Sequence, residues 1–270
     1  MGATSYSVKR ANQRAGPYNV VAKGVSRPAY TDTQVSAGQV FFYTVTAWNS
    51  LGESPSAVET GVSAGLPEGW GSEDVGTLAV AGAANFDGSA YTVEGAGSNI
   101  GGTNDGCHFA FFPMSGNAEI TARVTPQVSS QFSQVGVMMR EDRTGGSAQV
   151  SLLLVRRSSG NVETPDWKVS LLIRHPAGAL AARPSAIPSL SEPFVVNGRL
   201  TEPCWLRLER LGDDFTGSIS ADGQVWMPVS AATVPLQKEL LVGLPACSGI
   251  ARITTTVVYD HVSIAKPATR

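Results

Sequence analysis

The sequence predicts an all-β protein in which a small, partial sandwich precedes a larger two-sheet jelly roll. Short β-prone runs recur every dozen or so residues through most of the chain, as expected for many short antiparallel strands. Helical periodicity is nearly absent, and only residues 234–241 hint at it. The 29 glycines and 16 prolines supply the turns that such a fold needs.

The first module is predicted to span residues 1–65. The run Phe41–Ala47 is a β-prone strand, and the turn Asn49–Gly52 is its exit loop. With the segments TSYSVKR, YTDT and AGQVFFYTVTAWNSLGES, and with Tyr43 near the start of its strand, the module resembles the C-terminal two-thirds of a bacterial fibronectin type III domain. The resemblance implies a partial immunoglobulin-like sandwich that acts as a spacer or scaffold.

A complete domain of that family carries two further strands before the TSYSVKR strand. Without them, one sheet edge is unpaired and the core is incompletely covered. We therefore expect this module to be marginally stable, or to dimerise or dock through that edge. The link at residues 64–69 is punctuated by Gly and Pro, so a second domain is expected over residues 66–270.

The segment CWLRLERL in the second domain alternates between two kinds of side chain. Leu206 and Leu208 are apolar, whereas Trp205, Arg207 and Glu209 between them carry an indole, a guanidinium and a carboxylate. Because successive side chains of a strand point to opposite faces, one face of this strand is buried and the other is polar. That polar face is the best candidate for a functional surface.

A hairpin signal follows in the segment SADGQVW. Asp222 and Gly223 are expected to supply the positive φ angles of a tight turn, and Trp226 is expected to staple the hairpin that this turn closes. The segment also resembles the Asp-box pattern S-x-D-x-G-x-x-W, but Gly223 comes one residue too early for it. These residues are therefore interpreted as architecture.

The order of motifs in the second domain resembles a known family. The pieces are WGSEDVG, GSNIGGTNDGCHFAF, GNAEITARV, QVGVMMRED, the WLRLERL to GQVW block and TTTVVYDHVSI. Together they are similar to a concanavalin-A-like (laminin-G-like) jelly-roll domain that accompanies secreted bacterial glycosidases. The resemblance implies an accessory role with no general set of catalytic residues. The long segment Val155–Pro203 departs from the family, as a surface insertion or as loops that shape a binding edge.

Composition narrows the partners and the compartment. Charged residues make up 16% of the chain and the formal net charge is −2, which argues against a basic surface for nucleic acid and favours a neutral partner. No apolar run is long enough to cross a membrane, and the first 30 residues lack the order of a signal peptide. The turn-rich all-β character nevertheless predicts a secreted or extracellular protein.

Sugar binding requires flat apolar platforms beside planar hydrogen-bonding groups, because a pyranose has an apolar face and a rim of hydroxyls. Five residues match these types and form the predicted carbohydrate-binding set: Trp205, Arg207, Trp167, Arg140 and His108. The structural alternatives are core packing for the tryptophans, surface ion pairs for the arginines and a hydrogen-bonded strand position for the histidine.

Glycoside hydrolysis would instead need two carboxylates about 5 to 10 Å apart across a groove. The candidates are Glu119, Glu141 and Asp142. Glu141 and Asp142 are adjacent, so on a strand they would point to opposite faces. Catalysis by these residues is therefore kept as an alternative, and solvent-facing strand residues are the simpler interpretation.

Metal and disulfide chemistry leave weaker signals. Calcium is possible at Asp74 and Asp260, near the start and end of the second domain, but no D-x-D-x-D-G loop supports it, and no cofactor is otherwise expected. Cys107, Cys204 and Cys247 allow at most one disulfide. No His and Cys spacing suggests zinc.

The sequence thus predicts a non-catalytic carbohydrate-binding or accessory region of a secreted multidomain protein that acts on polysaccharide. The expected partners are a polysaccharide and the other domains of a parent enzyme. A glycoside hydrolase or polysaccharide lyase working in the jelly-roll groove is the first alternative, and a structural or adhesive spacer is the second.

Overall fold

The computed structural model describes residues 2–13, 16–27, 29–35, 40–55, 60–63, 65–128, 130–157, 166–183, 195–196, 199–200 and 204–267. These residues form antiparallel strands and turns, and none of them is helical. The all-β prediction is therefore confirmed. The helical hint at residues 234–241 is not realised, because residues 234–238 are irregular and a strand begins at Glu239. In the described part of the chain, no helix has the length and apolarity to cross a membrane.

The chain divides into two compact units, Met1–Glu68 with Asn85–Ser89, and Gly69–Ala84 with Ala90–Arg270. The first unit contains one five-stranded sheet of order β2-β1-β3-β4, with β5 also paired to β3. Its strands are β1 (Ser5–Ala11), β2 (Asn19–Val25), β3 (Val40–Asn49), β4 (Gly52–Glu53) and β5 (Thr60–Ser63).

Few of the described apolar side chains of the first unit are deeply buried. Among its described apolar side chains, Val8, Ala11 and Phe41 are buried, whereas Val45 and Trp48 are more than one-third exposed. One polar cluster crosses the sheet surface, where Arg10 donates to the Asp32 carboxylate at 2.8 Å and Tyr43 Oη donates to the same carboxylate at 2.9 Å. The pKa of Asp32 is lowered mainly by the hydrogen bond from the Gln34 backbone N–H, and further by the hydrogen bonds from Tyr43 and Arg10.

The remaining strands are β6 (Gly71–Val75), β7 (Ala83–Phe86), β8 (Ala90–Gly97), β9 (Cys107–Ser115), β10 (Ala118–Val128), β11 (Gln134–Arg140), β12 (Gln149–Arg157), β13 (Asp166–Arg174), β14 (Val195–Val196), β15 (Arg199–Leu200), β16 (Cys204–Leu211), β17 (Asp214–Ser220), β18 (Met227–Thr233), β19 (Glu239–Cys247) and β20 (Ile250–Ala265). They form two large sheets: a seven-stranded sheet of order β18-β17-β16-β10-β20-β8-β7 and a six-stranded sheet of order β13-β12-β11-β19-β9-β6. Among the described residues, β14 and β15 pair only with each other. The two large sheets are the predicted two-sheet jelly roll.

The two sheets pack face to face around an apolar core. Gly217 of the seven-stranded sheet lies against Leu152 and Leu171 of the other, so closely that a Cβ there would come within 2.9 Å of the Leu152 side chain. Tyr259 also bridges the sheets, since its hydroxyl donates to the Pro245 carbonyl at 2.5 Å and accepts from Gly136 N–H at 3.1 Å. Complete burial raises the pKa of this phenol.

The other side of the six-stranded sheet is also buried. A second apolar cluster lies there, with Phe109, Met138 and Leu153 on strands and Ile100 on the Gly-rich loop 98–106 that covers them. We call this side the loop-covered face. Every residue of β11 is buried as a result. The predicted loop segment Val155–Pro203 is described only in part; its described residues include the end of β12 and all of β13, and residues 158–165, 184–194, 197–198 and 201–203 lie outside the described ranges.

The three cysteines are buried free thiols. Burial raises the pKa of Cys204 to about 12 and that of Cys247 to about 12. A thiol with so high a pKa is a poor nucleophile, because the thiolate is the reactive form. The cysteines therefore act as small apolar core residues.

Candidate functional site

The outward side of the seven-stranded sheet carries the polar face that the CWLRLERL alternation predicts. Along β16, burial alternates strictly, with Trp205, Arg207 and Glu209 on the half-buried side. Pairing with β10 places Arg123 opposite Trp205, Thr121 opposite Arg207 and Glu119 opposite Glu209. We call the outward side chains of this region the open face, and it comprises Glu119, Thr121, Arg123, Trp205, Arg207, Glu209, Trp226, Asp260 and His261.

Trp205 has close neighbours from three parts of the chain. Gly223 lies so close that an added Cβ would be 2.8 Å from the indole Cε2. The imidazole of His261 is tilted at 59° with its centroid 5.2 Å from the indole, and the Arg123 guanidinium carbon is 6.0 Å from the ring centroid. The indole is half-buried, so part of it reaches solvent.

Arg207 stacks on the second indole of the face, with its Cζ 4.4 Å from the centroid of the Trp226 ring. This pair depends on the loop that joins β17 to β18. The Asp222 carboxylate accepts from Val225 N–H at 2.9 Å and from Gln224 N–H at 2.8 Å, and these hydrogen bonds lower the pKa of Asp222. The loop therefore holds Trp226 over Arg207.

The expectation of a tight Asp222–Gly223 turn is wrong. The strands end at Ser220 and resume at Met227, which leaves a six-residue loop. Gly223 alone has the positive φ, at 75°, and Asp222 caps backbone N–H groups instead. The Asp-Gly pair correctly indicated a connection between two strands. The connection is a longer loop, however, in which the Asp222 side chain accepts hydrogen bonds from backbone N–H groups, and not a two-residue turn.

Arg123 and Asp260 form a bidentate ion pair on the open face. Nε and Nη2 of Arg123 each lie 2.6 Å from a carboxylate oxygen of Asp260. The hydrogen bond from Arg123 is the main cause that lowers the pKa of Asp260, and His261 adds to it from 3.1 Å. This fork presents planar donors and acceptors next to Trp205, which is the arrangement that sugar hydroxyls require.

Two carboxyl groups meet on the same face. Glu119 and Glu209 are directly opposed on neighbouring strands, ninety positions apart in the chain. Desolvation, together with a hydrogen bond and the like charge of Glu209, raises the pKa of Glu119, while Arg207 opposes this shift. Glu119 therefore keeps its proton to a higher pH than an isolated glutamate does.

The other acidic candidates lie elsewhere. Glu141 follows β11, and its carboxylate accepts from Gln237 N–H at 2.7 Å. Asp142 caps the same turn by accepting from Thr144 N–H at 2.7 Å. Both belong to the β11–β12 connection and hold its local structure, so the structure brings neither of them to Glu119.

Three predicted sugar-binding residues also lie away from the open face. Arg140 is fully buried on the loop-covered face, where Nη1 contacts the Asp105 carboxylate at 3.3 Å. Trp167 is only 4% exposed on β13. His108 is equally buried, and its Nδ1 lies 2.7 Å from Asp74 Oδ1. These side chains match the alternatives of ion pairing, core packing and hydrogen bonding.

Asp105 is the centre of a buried charge cluster. Arg174 approaches its two carboxylate oxygens at 2.5 and 3.0 Å, Gln149 donates to it at 3.0 Å, and Gly101 N–H donates at 2.9 Å. The remaining guanidinium protons of Arg174 bond to backbone carbonyls, including that of Gly145 at 3.0 Å. The charged groups of this cluster all have partners within the protein. Their hydrogen bonds connect the Gly-rich loop to the ends of β11, β12 and β13.

The calcium candidates do not form a cation site. Asp74 accepts from Gly82 N–H at 3.0 Å and pairs with His108, and Asp260 is held by Arg123. The two lie on strands of different sheets. Among the described residues, no group of three or more His, Cys, Asp or Glu side chains is arranged to hold a metal ion.

Comparison with known proteins adds fold information. No family model matches the chain. A curated amylopullulanase from Thermoanaerobacterium saccharolyticum is 33% identical over 70 residues, which is 26% of this chain and 6% of that protein. This chain therefore spans a small part of the relative.

Two solved structures share the fold. A protein of unknown function from Saccharomyces cerevisiae superposes with a TM-score of 0.56 at 17% identity, covering 73% of this chain and 97% of the other. The GH43 protein BlXynB from Bacillus licheniformis superposes with a TM-score of 0.50 at 9% identity, covering 98% of this chain and 61% of the other. At such identities the likeness concerns the fold alone.

Proposed function

We propose that this chain is a non-catalytic carbohydrate-binding region of a secreted, multidomain protein that acts on polysaccharide. The observation that carries the proposal is the open face, where two half-buried indoles lie beside two arginines and three carboxylates. Indoles offer the apolar surface that matches a sugar ring, and the arginine and carboxylate groups offer hydrogen bonds to its hydroxyls. The ligand contacts we assign are Trp205 and Arg207, with Trp226 added.

The charges of this face favour a neutral glycan. Arg123 is neutralised by Asp260 at 2.6 Å, and Arg207 lies in the field of Glu119 and beside Glu209 on its strand. Each arginine thus has a carboxylate near it, so an acidic glycan would meet as much repulsion as attraction. The net charge of −2 for the whole chain agrees with this assignment.

The modules have separate roles in this proposal. Residues 66–270 bind polysaccharide, and residues 1–65 form a fibronectin type III-like module that spaces the binding domain from the rest of a parent enzyme. The described strands of the first unit form one antiparallel sheet, which is what one layer of such a sandwich contains. The local similarity to an amylopullulanase supports a parent protein of the polysaccharide-active kind.

Glycoside hydrolysis on the open face is the second candidate, and the Glu119–Glu209 pair favours it. An acid with a raised pKa beside a second carboxyl is the usual equipment of a glycosidase. Glu119 and Glu209 are directly opposed on neighbouring strands of one sheet face, however, whereas glycosidases place their carboxyls about 5 Å or more apart on either side of the scissile bond. Binding is therefore the better supported function.

The test combines a glycan array with an assay for released reducing sugar, both on the full chain. We expect binding to one or more neutral glycans without release of reducing ends. Release that is abolished in Glu119→Gln would establish the hydrolase instead. Silence in both assays would leave the structural spacer as the function.

A further inference from the structure

The strand β20 runs without a break from Ile250 to Ala265, but its pairing with β10 is irregular on the open face at His261. The pairing with β10 shifts register between Arg123, which lies opposite Asp260, and Thr121, which lies opposite Ser263. His261 therefore sits in a bulge, with a φ of 49°. Among the described residues it is the only non-glycine with a positive φ. A bulge of this kind redirects one side chain out of the regular alternation.

The redirected imidazole is both exposed and anchored. Its side chain is 59% exposed, its ring centroid is 5.2 Å from the indole of Trp205, and its Nδ1 is 3.1 Å from Asp260 Oδ1. Glycine would adopt this backbone without strain, and an exposed ring gains little from packing. His261 therefore adopts a strained backbone conformation while its ring is exposed at the surface. Strained residues of this kind cluster at functional sites.

The contact with Asp260 also fixes the chemistry of the ring. The carboxylate is held by Arg123 in a bidentate pair and can only accept hydrogen bonds. Nδ1 of His261 must therefore donate to it, which leaves the lone pair of Nε2 in a neutral imidazole as an acceptor. The flat ring, the edge of Trp205 and an oriented acceptor together match the apolar face and one hydroxyl of a pyranose.

We propose that His261 is a ligand-contacting residue that determines specificity, forming with Trp205 a subsite for one sugar unit of a neutral polysaccharide. This inference rests on the proposed function, because it assigns a new residue to the same face. In the complex, Nε2 accepts a hydrogen bond from a sugar hydroxyl while the Arg123–Asp260 pair holds the imidazole in place.

Variants of His261 separate a contact role from a structural one. His261→Gly removes the ring and relieves the backbone, so affinity for the array-selected oligosaccharide should fall at least about tenfold while the melting temperature does not fall. His261→Asn tolerates the left-handed backbone and keeps a polar group, so its loss should be smaller. Ile253→Ala, at an exposed position far along the same strand, should bind as the wild type does. Unchanged affinity in His261→Gly would overturn the inference.

Titration of the unmodified chain tests separately whether the open face binds a glycan and whether His261 contacts it. Soluble oligosaccharides of α-linked glucose, β-linked glucose and β-linked xylose are added while the imidazole and indole resonances are followed by NMR. Shifts at both His261 and Trp205 support the inference. Shifts at Trp205 without any at His261 overturn it and leave the proposed function standing, and no shift at either residue with any glycan overturns both.

Discussion

Each outer side of the jelly roll carries ion pairs between arginine and aspartate, but those on one side are buried and the one on the other side is partly exposed. On the loop-covered face, Arg140, Arg174 and Asp105 have no exposed side-chain surface. On the open face, the Arg123 and Asp260 side chains keep 33% and 22% of theirs. The first cluster forms its hydrogen bonds with loops and backbone carbonyls, whereas the second lies beside the half-buried indole of Trp205 and the exposed imidazole of His261.

This contrast shows why residue type is a poor guide to a binding site. Arg140 and Arg207 are both strand arginines with an aromatic ring nearby, since Arg140 lies 5.8 Å from the Phe109 centroid and Arg207 lies 4.4 Å from that of Trp226. What separates them is the covering loop. A buried guanidinium must satisfy every donor internally, while a half-exposed one keeps donors for a ligand.

The largest effect is expected at the buried cluster. Asp105→Asn removes the carboxylate that compensates two buried guanidinium groups, and breaking such a cluster typically costs about 3–5 kcal/mol of stability. Urea unfolding of the full chain measures this loss. Asp260→Asn is the matched control on the open face and should cost less than about 1 kcal/mol. Equal losses in the two variants would remove the distinction between the faces.

The next effect concerns affinity. Trp205→Ala should weaken binding of the neutral glycan about tenfold or more, because the sugar loses its apolar contact. Trp48→Ala is the control, since Trp48 is 38% exposed but lies in the first unit. Titration calorimetry with both variants checks the prediction, and a loss as large in Trp48→Ala would move the binding surface away from the open face.

Much of the architecture was predictable because the signals are local. The alternation in CWLRLERL predicts that Leu206 and Leu208 face the core, and both are fully buried; Arg210, which β16 also buries, was not predicted. The burial of Arg140 also had a signal that was missed. The run QVGVMMR shows no alternation, which indicates a strand buried on both faces.

The composition of the open face was not predictable from local patterns. Glu119 meets Glu209, and Arg123 meets Asp260, only because β10 pairs with β16 on one side and with β20 on the other. Register between strands so distant in sequence depends on the packing of the whole sheet. The bulge at His261 had no signal either, since histidine lacks the conformational freedom that marks glycine turns.

The pH dependence should differ in sign between two acids of the open face. The pKa of Glu119 is raised above its ordinary 4.5, so the folded chain binds this proton more tightly and loses stability as pH rises through that range. Glu119→Gln should therefore be more stable than the wild type near pH 7, by less than about 1 kcal/mol, with the difference vanishing in acid.

The pKa of Asp260 is lowered below 3.8, so its contribution to stability is present above that pH and is lost in acid. Asp260→Asn should show the reverse trend in urea unfolding across the same pH series.

The smallest effect is expected from metal removal. Asp74 and Asp260 are already paired with His108 and Arg123, so each carboxylate would have to weaken an existing ion pair in order to bind calcium. Dialysis against EDTA, followed by added calcium, should change neither the melting temperature nor the glycan affinity. A calcium-dependent gain in either quantity would show that these carboxylates exchange partners.

Hydroxyl-radical footprinting of the full chain, with and without its neutral glycan, tests the central claim most directly. The glycan should protect Trp205, Trp226 and His261 on the open face, while Leu180, which is 73% exposed beside the loop-covered face, should be oxidised equally in both states. Protection of Leu180 with no change at the open face would contradict the account and place the binding surface on the other side of the jelly roll.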